Sequence, residues 1–464
     1  MGKIVRHVQW IIYVFVVQTC IFSIAVFQVR APLSTDLAYD ATHLRVVPDT
    51  ENYAYLMEDR QEALAIRLAL IEQAQEAIEI TSYAIHDGQA RDVLYGALLS
   101  AAIRGVSVRI VIDGFIEGRF ISDYQTTRHM MAHPEIDVGF FEPFSIWRPH
   151  AVQNRLHDKL LIVDGQYGII GGRNIGDRYF ITPEQTDAIT YDRDVLIFGQ
   201  PHSEAVHAMQ TYFDQLFHHP YTQFEANIQP SEASQATTAQ LIEAYEAYVS
   251  TQILDFETLV VRLHDTAVKT GAITFLHSPL NRMHKEPVIF NTLKELARDY
   301  NRFFVQTPYF IADRPMREHF TAFHEAEVTV LTNSPITNPN IMAAAGYLPI
   351  RHQLAATTTL HEYHAQSSIH GKTLLMGDDI TVIGSYNIDP RSMSLSTESV
   401  VVIHSKTFQT VVEAAIEPLI ASSLHVSEAG VTNPHEIELF DDSAVRHIVR
   451  TLLRFVLRPF DYML

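Results

Sequence analysis

A chain of 464 residues, 47% hydrophobic and 19% charged, carries enough apolar material for more than one packed domain, which excludes a mainly disordered protein. Only residues 10–27 form a long apolar run, so a polytopic membrane protein is excluded too. With 34 Lys and Arg against 54 Asp and Glu the formal net charge is −20; such a surface repels nucleic acid, and any phosphate handled here must be met by a few placed groups.

The first segment, residues 1–30, contains WIIYVFVVQTCIFSIAVF, whose length as a helix is about 27 Å, enough to span the hydrocarbon layer of a bilayer. Lys3 and Arg6 precede the run, while Asp36 and Asp40 follow Arg30. Positive-inside reasoning therefore predicts a single-pass N-terminal transmembrane helix in the cell membrane, with the body outside the cytoplasm; a cleaved signal peptide is the alternative. Cys20, the only cysteine, lies in this run, so no intrachain disulfide forms.

Beyond it, helical periodicity covers 60–77, a strand 78–85, a helix 90–104 and a β-rich strand 106–114. The order recurs with a helix over 286–301 and strands over 302–311 and 327–333. Between them, 221–258 includes the polar stretch QPSEASQATTAQ and reads as a linker or helical connection. The pattern predicts an α/β protein of two similar lobes with mixed sheets, 50–220 and 259–425. Residues 443–464 form a basic amphipathic helix with Arg446, Arg450, Arg454 and Arg458 at every fourth position. Such a helix on an acidic protein suits a membrane surface; docking on the core with the arginines in solvent is the alternative.

Each lobe contains one copy of a repeat: HDKLLIVDGQYGIIGGRN at 157–174 and HGKTLLMGDDITVIGSYN at 370–387. His157, Lys159, Gly171, Gly172 and Asn174 align without a gap on His370, Lys372, Gly384, Ser385 and Asn387, which marks an internal duplication. Read as β-hairpins, the copies turn at DGQ and GDD and return each Asn beside its own His, while His and Lys at i and i+2 share a strand face. The Gly171–Gly172 and Gly384–Ser385 pairs would leave room for a ligand at the backbone. Placed together, the copies supply two imidazoles, two ammonium groups and two carboxamides, a phosphodiester site that needs no metal or other cofactor. The lysines and asparagines meet the phosphate oxygens, one His attacks phosphorus and the other serves as acid and base. Each His also requires an orienting carboxylate, and an acid opens the β-rich run after each hairpin: Asp194 before VLIFG and Glu398 before SVVVI. The pair His361 and His364 in HEYH has no acidic or Cys companion at metal spacing, so no metal site is expected.

These motifs resemble the phospholipase D superfamily, whose signature is two copies of H-x-K-x4-D, each followed by G-G/S-x-N. GGRNIGDRYF, DRDVLIFG, TPYFI and GSYNIDPRS are similar to the bacterial C-type cardiolipin synthases. The resemblance implies two phospholipase D-like lobes packed face to face and a phosphatidyltransferase that works through a phospho-histidine, with His157 as nucleophile and His370 as acid and base. Its substrates would be phosphatidylglycerol and a second phospholipid such as phosphatidylethanolamine, met at a membrane. A phospholipase D with water as acceptor is the nearest alternative, followed by a nuclease of the superfamily and a non-catalytic lipid-binding scaffold. The first motif ends at Asp164; the second has Gly377 at that place and Asp378 one residue later. About 20 Å of strand separates this position from its His, which makes it a turn residue.

Overall fold

The computed structural model describes residues 51–456, except 118–123, 187, 227, 283–284, 313–315 and 317–325, together with Arg6, Trp10, Tyr13, Val14 and Val17. The expected N-terminal anchor therefore lies largely outside the described residues, among which no helix is long and apolar enough to cross a membrane.

The first lobe contains β1 Glu51–Met57, β2 Ala77–Ser82, β3 Ser107–Asp113, β4 Ile136–Phe141, β5 Leu160–Val163, β6 Tyr167–Gly171, β7 Thr190–Tyr191, β8 Asp194–Gln200, β9 Thr222–Phe224 and β10 Val268–Thr270. The second contains β11 Ile273–His277, β12 Arg302–Gln306, β13 Glu327–Asn333, β14 Thr359–Tyr363, β15 Ser368–Ile369, β16 Thr373–Met376, β17 Ile380–Gly384, β18 Ser399–His404, β19 Ser423–Ser427 and β20 Gly430–Thr432. Two nine-stranded sheets result, in the orders β10-β1-β8-β6-β5-β2-β3-β4-β9 and β11-β18-β17-β16-β12-β13-β14-β19-β20. From β1 to β9 and from β11 to β19 the orders correspond strand for strand, which extends the repeat to whole lobes. In each sheet three adjacent strands run parallel (β2-β3-β4 and β12-β13-β14) and the rest antiparallel. The sheets are mixed, as expected.

Helices Arg60–Gln73, Gln89–Ile103 and Glu232–Gln252 cover the outer face of the first sheet, where Leu64, Ile66, Tyr95, Leu98 and Tyr245 are buried. A second core lies between the sheets. It gathers Ile162, Ile170 and Val195 of the first sheet, Ile383 and Val401 of the second, and Phe213 and Phe408 from helices Glu204–Phe217 and Lys406–Ala421. Arg193 ties the lobes across this layer: it pairs with Glu58 at 2.7 Å and donates to Gln306 Oε1 at 2.9 Å and Thr373 Oγ1 at 2.8 Å.

The segment 221–258, read as a linker or helical connection, contains helix Glu232–Gln252, capped by Ser231 and laid along helix Gln89–Ile103. The contact needs few large side chains because Gly96 lets the backbone close in; a Cβ there would meet the Leu241 carbonyl oxygen at 2.1 Å. The following helix, Phe256–Thr266, packs on Arg60–Gln73, and β10 pairs with β1, so the chain enters the second sheet only after Thr270. The second lobe starts later than the expected residue 259 because apolar periodicity does not report which sheet a helix covers.

Asp164 and Gly377 hold the same place in their lobes, at φ 51° and 59°. The Asp164 carboxylate accepts from the backbone N–H of Gln75, Glu76 and Ala77 at 2.9, 2.8 and 2.9 Å. In the second lobe Tyr300 fills that space (a Cβ on Gly377 would meet its ring at 2.5 Å), and Arg302 donates to the Gly377 carbonyl at 2.8 Å instead. Asp378 does not replace the missing acid; it pairs with Lys406 at the surface. Asp164→Ala is expected to lower stability by about 2 kcal/mol, read by denaturant unfolding, and Gly377→Asp to destabilise and not to repair the motif.

In the C-terminal helix, Ala444–Val456, two of the arginines turn toward the body, which departs from the alternative that left them in solvent; Arg454 is exposed, and Arg458 lies outside the described residues. Arg446 donates to the Asn338 carbonyl, and Arg450 donates to the Pro335 carbonyl at 2.7 Å while pairing with Asp442. These bonds hold the helix against Ile341–Tyr347 with its apolar residues outward: Ile448 is 58% exposed and Leu452 61%.

Candidate active site

The two hairpins form as the spacing predicts. Leu160 pairs with Ile170 and Val163 with Tyr167 in the first; Thr373 pairs with Ile383 and Met376 with Ile380 in the second. Each ladder stops short of its His, and there the chain crosses to the other lobe. Leu156 bridges Thr397, the His157 N–H donates to the Thr397 carbonyl at 3.2 Å, and Thr397 N–H donates to the Arg155 carbonyl at 2.8 Å. In the counterpart crossing, β15 runs beside β7 and the His370 N–H donates to the Tyr191 carbonyl at 2.7 Å.

This exchange decides which carboxylate meets which imidazole. His157 Nδ1 lies 2.9 Å from Glu398 Oε2, and His370 Nδ1 lies 2.6 Å from Asp192 Oδ2. A carboxylate only accepts, so in both rings Nδ1–H donates and Nε2 is the unprotonated nitrogen; in His370 that Nε2 has Lys372 Nζ 3.2 Å away. Glu398 does meet an imidazole, but that of the other lobe's histidine. Asp194 meets neither imidazole: it is buried between Arg67 at 2.7 Å and Arg173 at 3.0 Å. Register explains the error. Gly171 pairs with Asp194 whereas Gly384 pairs with Val400, so the counterpart of Glu398 is Asp192, two residues before Asp194. The loop from Asn174 to Asp192 is longer than that from Asn387 to Glu398, which hides this correspondence in the sequence. Counting back two residues from the paired apolar strands would have exposed it.

The glycines also act differently from the expected ligand clearance. A Cβ on Gly171 would meet Asp194 Oδ1 at 1.9 Å, one on Gly172 would meet Asp192 Oδ1 at 2.2 Å, and one on Gly384 would meet the Ser399 carbonyl at 2.2 Å. The protein itself occupies that space, and the glycines let the buried acids and the neighbouring strand close in. At the place of Gly172 the second lobe has Ser385, which donates to Glu398 Oε2; Ser392 donates to Oε1 at 2.6 Å.

Lys159 and Lys372 are buried beside the imidazoles, each donating to the carbonyl of its own His. Asn174 Nδ2 lies 3.3 Å from the Tyr179 hydroxyl, and Oδ1 of both Asn174 and Asn387 is buried without a hydrogen-bond partner among the described residues. Tyr83 stands edge-on to His157, and Tyr179 and Tyr309 edge-on to His370. Among the described residues the resulting cavity, of 330 Å³, is lined by both histidines, both asparagines, Glu398, Arg155, Arg391 and Asp389. Arg155, Arg391, Asp389 and the tyrosines escape sequence reading because they lie outside the two aligned copies, 157–174 and 370–387. So does Lys285, which is buried with no hydrogen-bond partner for its Nζ among the described residues.

Burial sets the charge state. It pushes His157 well below the ordinary imidazole value, with Lys159 and Lys372 adding repulsion, and His370 down to about 4. Burial lowers Lys159 to about 7, aided by Lys372, and lowers Lys372 to about 8. Glu398 is raised by burial to about 7 against the pull of Lys159. Burial also pushes Asp192 up, but His370 and Lys372 outweigh it and hold this carboxylate below its ordinary range. A bound anion would return the buried lysines to their charged form.

The family described as Cardiolipin synthase, PLD-like domain matches residues 68–217 and 293–420, more than half of the chain. Cardiolipin synthase C of Escherichia coli (strain K12) is 27% identical over 402 residues, covering 77% of this chain and 82% of that protein. An uncharacterised protein of Helicobacter pylori (strain ATCC 700392 / 26695) is 28% identical over 409 residues, 80% of each. Among solved structures, the phosphatidylserine synthase of Haemophilus influenzae Rd KW20 shares the fold at a TM-score of 0.63 and 16% identity, covering 91% of this chain and 98% of that one. The two matched segments hold the two hairpins, both histidines and both orienting carboxylates, and the chain belongs to the PLD-like cardiolipin synthase family.

Proposed function

We propose that this enzyme is a phosphatidyltransferase that joins two phospholipids into cardiolipin, with phosphatidylglycerol as acceptor and phosphatidylglycerol or phosphatidylethanolamine as donor. The observation that carries the reading is the pair of imidazoles in one cavity, each held by the other lobe's carboxylate and flanked by lysines and carboxamides. His157 Nε2 attacks the donor phosphorus, the P–O bond to the headgroup breaks, and the departing oxygen takes a proton from His370. The acceptor hydroxyl then returns a proton to His370 as its oxygen attacks phosphorus and the P–N bond breaks. Lys159, Lys372, Asn174 and Asn387 meet the non-bridging oxygens. Asp192, held ionised, offsets part of the burial that lowers His370 and stabilises the imidazolium when it forms; Glu398, raised by burial, leaves His157 neutral and nucleophilic, which supports this division of roles.

Incubating the solubilised protein with phosphatidylglycerol, with and without phosphatidylethanolamine, and following products by mass spectrometry tests the reading. Cardiolipin is expected; phosphatidic acid alone would identify a phospholipase D. The pH profile gives a second test. Substrate anion binds the protonated lysines, and protonation is lost above their pKa values of about 7 and 8. Hence kcat/KM is expected to fall as pH rises through that window, and a flat profile to about pH 9 would refute the role given to the lysines.

The same reading has the cavity mouth facing a bilayer, with the body outside the cytoplasm and residues 10–27 as its anchor. Support comes from apolar side chains on both sides of the mouth. Trp147, 81% exposed, lies in the loop leading to Pro149–Gln153, whose Gln153 accepts from Arg391 at 2.8 Å. Helix Ala444–Val456 packs beside Ile341–Tyr347, whose Met342 lines the cavity. Ile448→Glu with Leu452→Glu in a protein lacking residues 1–30 is expected to weaken binding to phosphatidylglycerol vesicles at least about tenfold in cosedimentation; unchanged binding would sink the bilayer contact.

A further inference from the structure

A second cavity, of 390 Å³, opens against His370; among its described lining residues neither His157 nor any carboxylate appears. Its polar wall is made by Arg178, Thr190, Asn340 and Ser368. Arg178 Nε donates to Thr190 Oγ1 at 2.9 Å, and Thr190 Oγ1 lies 3.2 Å from Ser368 Oγ, so the guanidinium is held from one side. Its two Nη groups have neither an ion-pair partner nor a hydrogen-bond acceptor among the described residues, although the chain as a whole is acidic. The first cavity differs: it contains Arg155 and Arg391, but also Asp389 and Glu398.

Arg178 and Arg391 are repeat-related, each four residues after the motif asparagine in NIGDR and NIDPR. The duplication gave each lobe an arginine at this place, and the fold has put them in different surroundings. Arg391 lines a cavity that also holds acids, and Arg178 lines one where described acids are lacking.

We propose that this second cavity is an anion subsite for the acceptor, in which Arg178 binds the acceptor's own, non-reacting phosphodiester. The assignment rests on the transferase reading above. In that scheme the leaving headgroup and the incoming hydroxyl both exchange a proton with His370, so the acceptor enters on the His370 side, where this cavity lies. An acceptor phospholipid differs from water or a simple alcohol by one negative phosphate a few bonds from the attacking hydroxyl. The two lysines are engaged with the reacting phosphate, and a separate cation is needed for the second. A guanidinium with two uncommitted NH2 groups suits the two non-bridging oxygens of a diester. The subsite therefore sorts acceptors: it favours those that carry a phosphate and gives water and neutral alcohols no matching gain.

Partitioning of one intermediate tests this. Solubilised full-length enzyme, given phosphatidylglycerol as donor and acceptor with deuterated glycerol as a competing neutral acceptor, makes cardiolipin and deuterated phosphatidylglycerol from the same phosphatidyl-enzyme. Arg178→Gln is expected to lower the ratio of cardiolipin to deuterated phosphatidylglycerol at least tenfold, and Arg178→Lys to restore part of it. Glycerophosphoglycerol, which carries the phosphate without acyl chains, should lose ground to glycerol in the same way; a fall confined to the acylated acceptor would overturn the anion subsite. An unchanged ratio in Arg178→Gln, with both products rising or falling together, would also overturn it. Wild-type enzyme that labels phosphatidylglycerol but forms no cardiolipin refutes the subsite while leaving phosphatidyl transfer standing; formation of neither product refutes the transferase reading itself.

Discussion

His157→Ala and His370→Ala are each expected to lower phosphatidyl transfer by at least about 10⁴-fold, with the double variant no worse than either single one. In the proposed scheme both imidazoles act on one phosphorus, so removal of either stops the cycle, and their losses do not add. The two variants fail at different steps. Without His157 no covalent intermediate forms with any donor. Without His370 a donor whose headgroup leaves as a stable anion, such as a p-nitrophenyl phosphodiester, still phosphorylates His157, and the phosphatidyl-enzyme accumulates because no base activates the acceptor. Intact-mass spectrometry reads that adduct. Substantial turnover in either alanine variant, or an adduct that persists in His157→Ala, would overturn the paired-histidine scheme.

Glu398→Gln and Asp192→Asn are each expected to lower kcat by about 10²–10⁴-fold with little change in folding. The amide keeps the volume but can accept through only one atom, and it gives no charge to stabilise an imidazolium. Asp194→Asn provides the contrast. Its carboxylate meets the buried Arg173 and the partly buried Arg67, and touches neither imidazole. Its replacement leaves two guanidinium groups without their counter-ion and is expected to cost about 3 kcal/mol in stability. Thermal unfolding of the three variants beside their kcat values separates the classes. If Asp194→Asn is the variant that loses turnover at full stability, the crossed pairing is wrong. Because each imidazole depends on the opposite lobe, a single lobe is expected to be inactive even if it folds.

The histidine pairs show what is local in this protein. A period-two strand face and a short turn determine that His157, Lys159 and Asn174 gather at one end of a hairpin, and the second copy repeats them at His370, Lys372 and Asn387. Those relations span a few residues and depend on backbone geometry that any solvated strand pair obeys, so they can be read without a fold. The turn at Gly377 belongs with them: a residue at positive φ is needed there, and glycine fills the place that Asp164 takes in the other lobe.

The carboxylates were legible only in part. Glu398 stands where the β-rich run begins, but Asp192 stands two residues ahead of it, and the unequal loops after Asn174 and Asn387 remove the spacing that would have aligned them. The outward apolar face of Ala444–Val456 was equally hidden, since four-residue spacing of arginines shows that they share a side and not whether carbonyls at Asn338 and Pro335 wait there.

By itself, then, the sequence determined the duplication, the two His-Lys-Asn clusters, the α/β class and the expectation that phosphate is met by placed cations on an acidic chain. Only the tertiary structure decided that each histidine takes its acid from the opposite lobe, that the glycines make room for protein and not for ligand, and that Arg178 faces a cavity lined by no described acid. The physical reason is distance along the chain. Hairpin register is set by neighbours a few residues apart, whereas His157 with Glu398 and His370 with Asp192 meet only after two sheets have packed around a shared core.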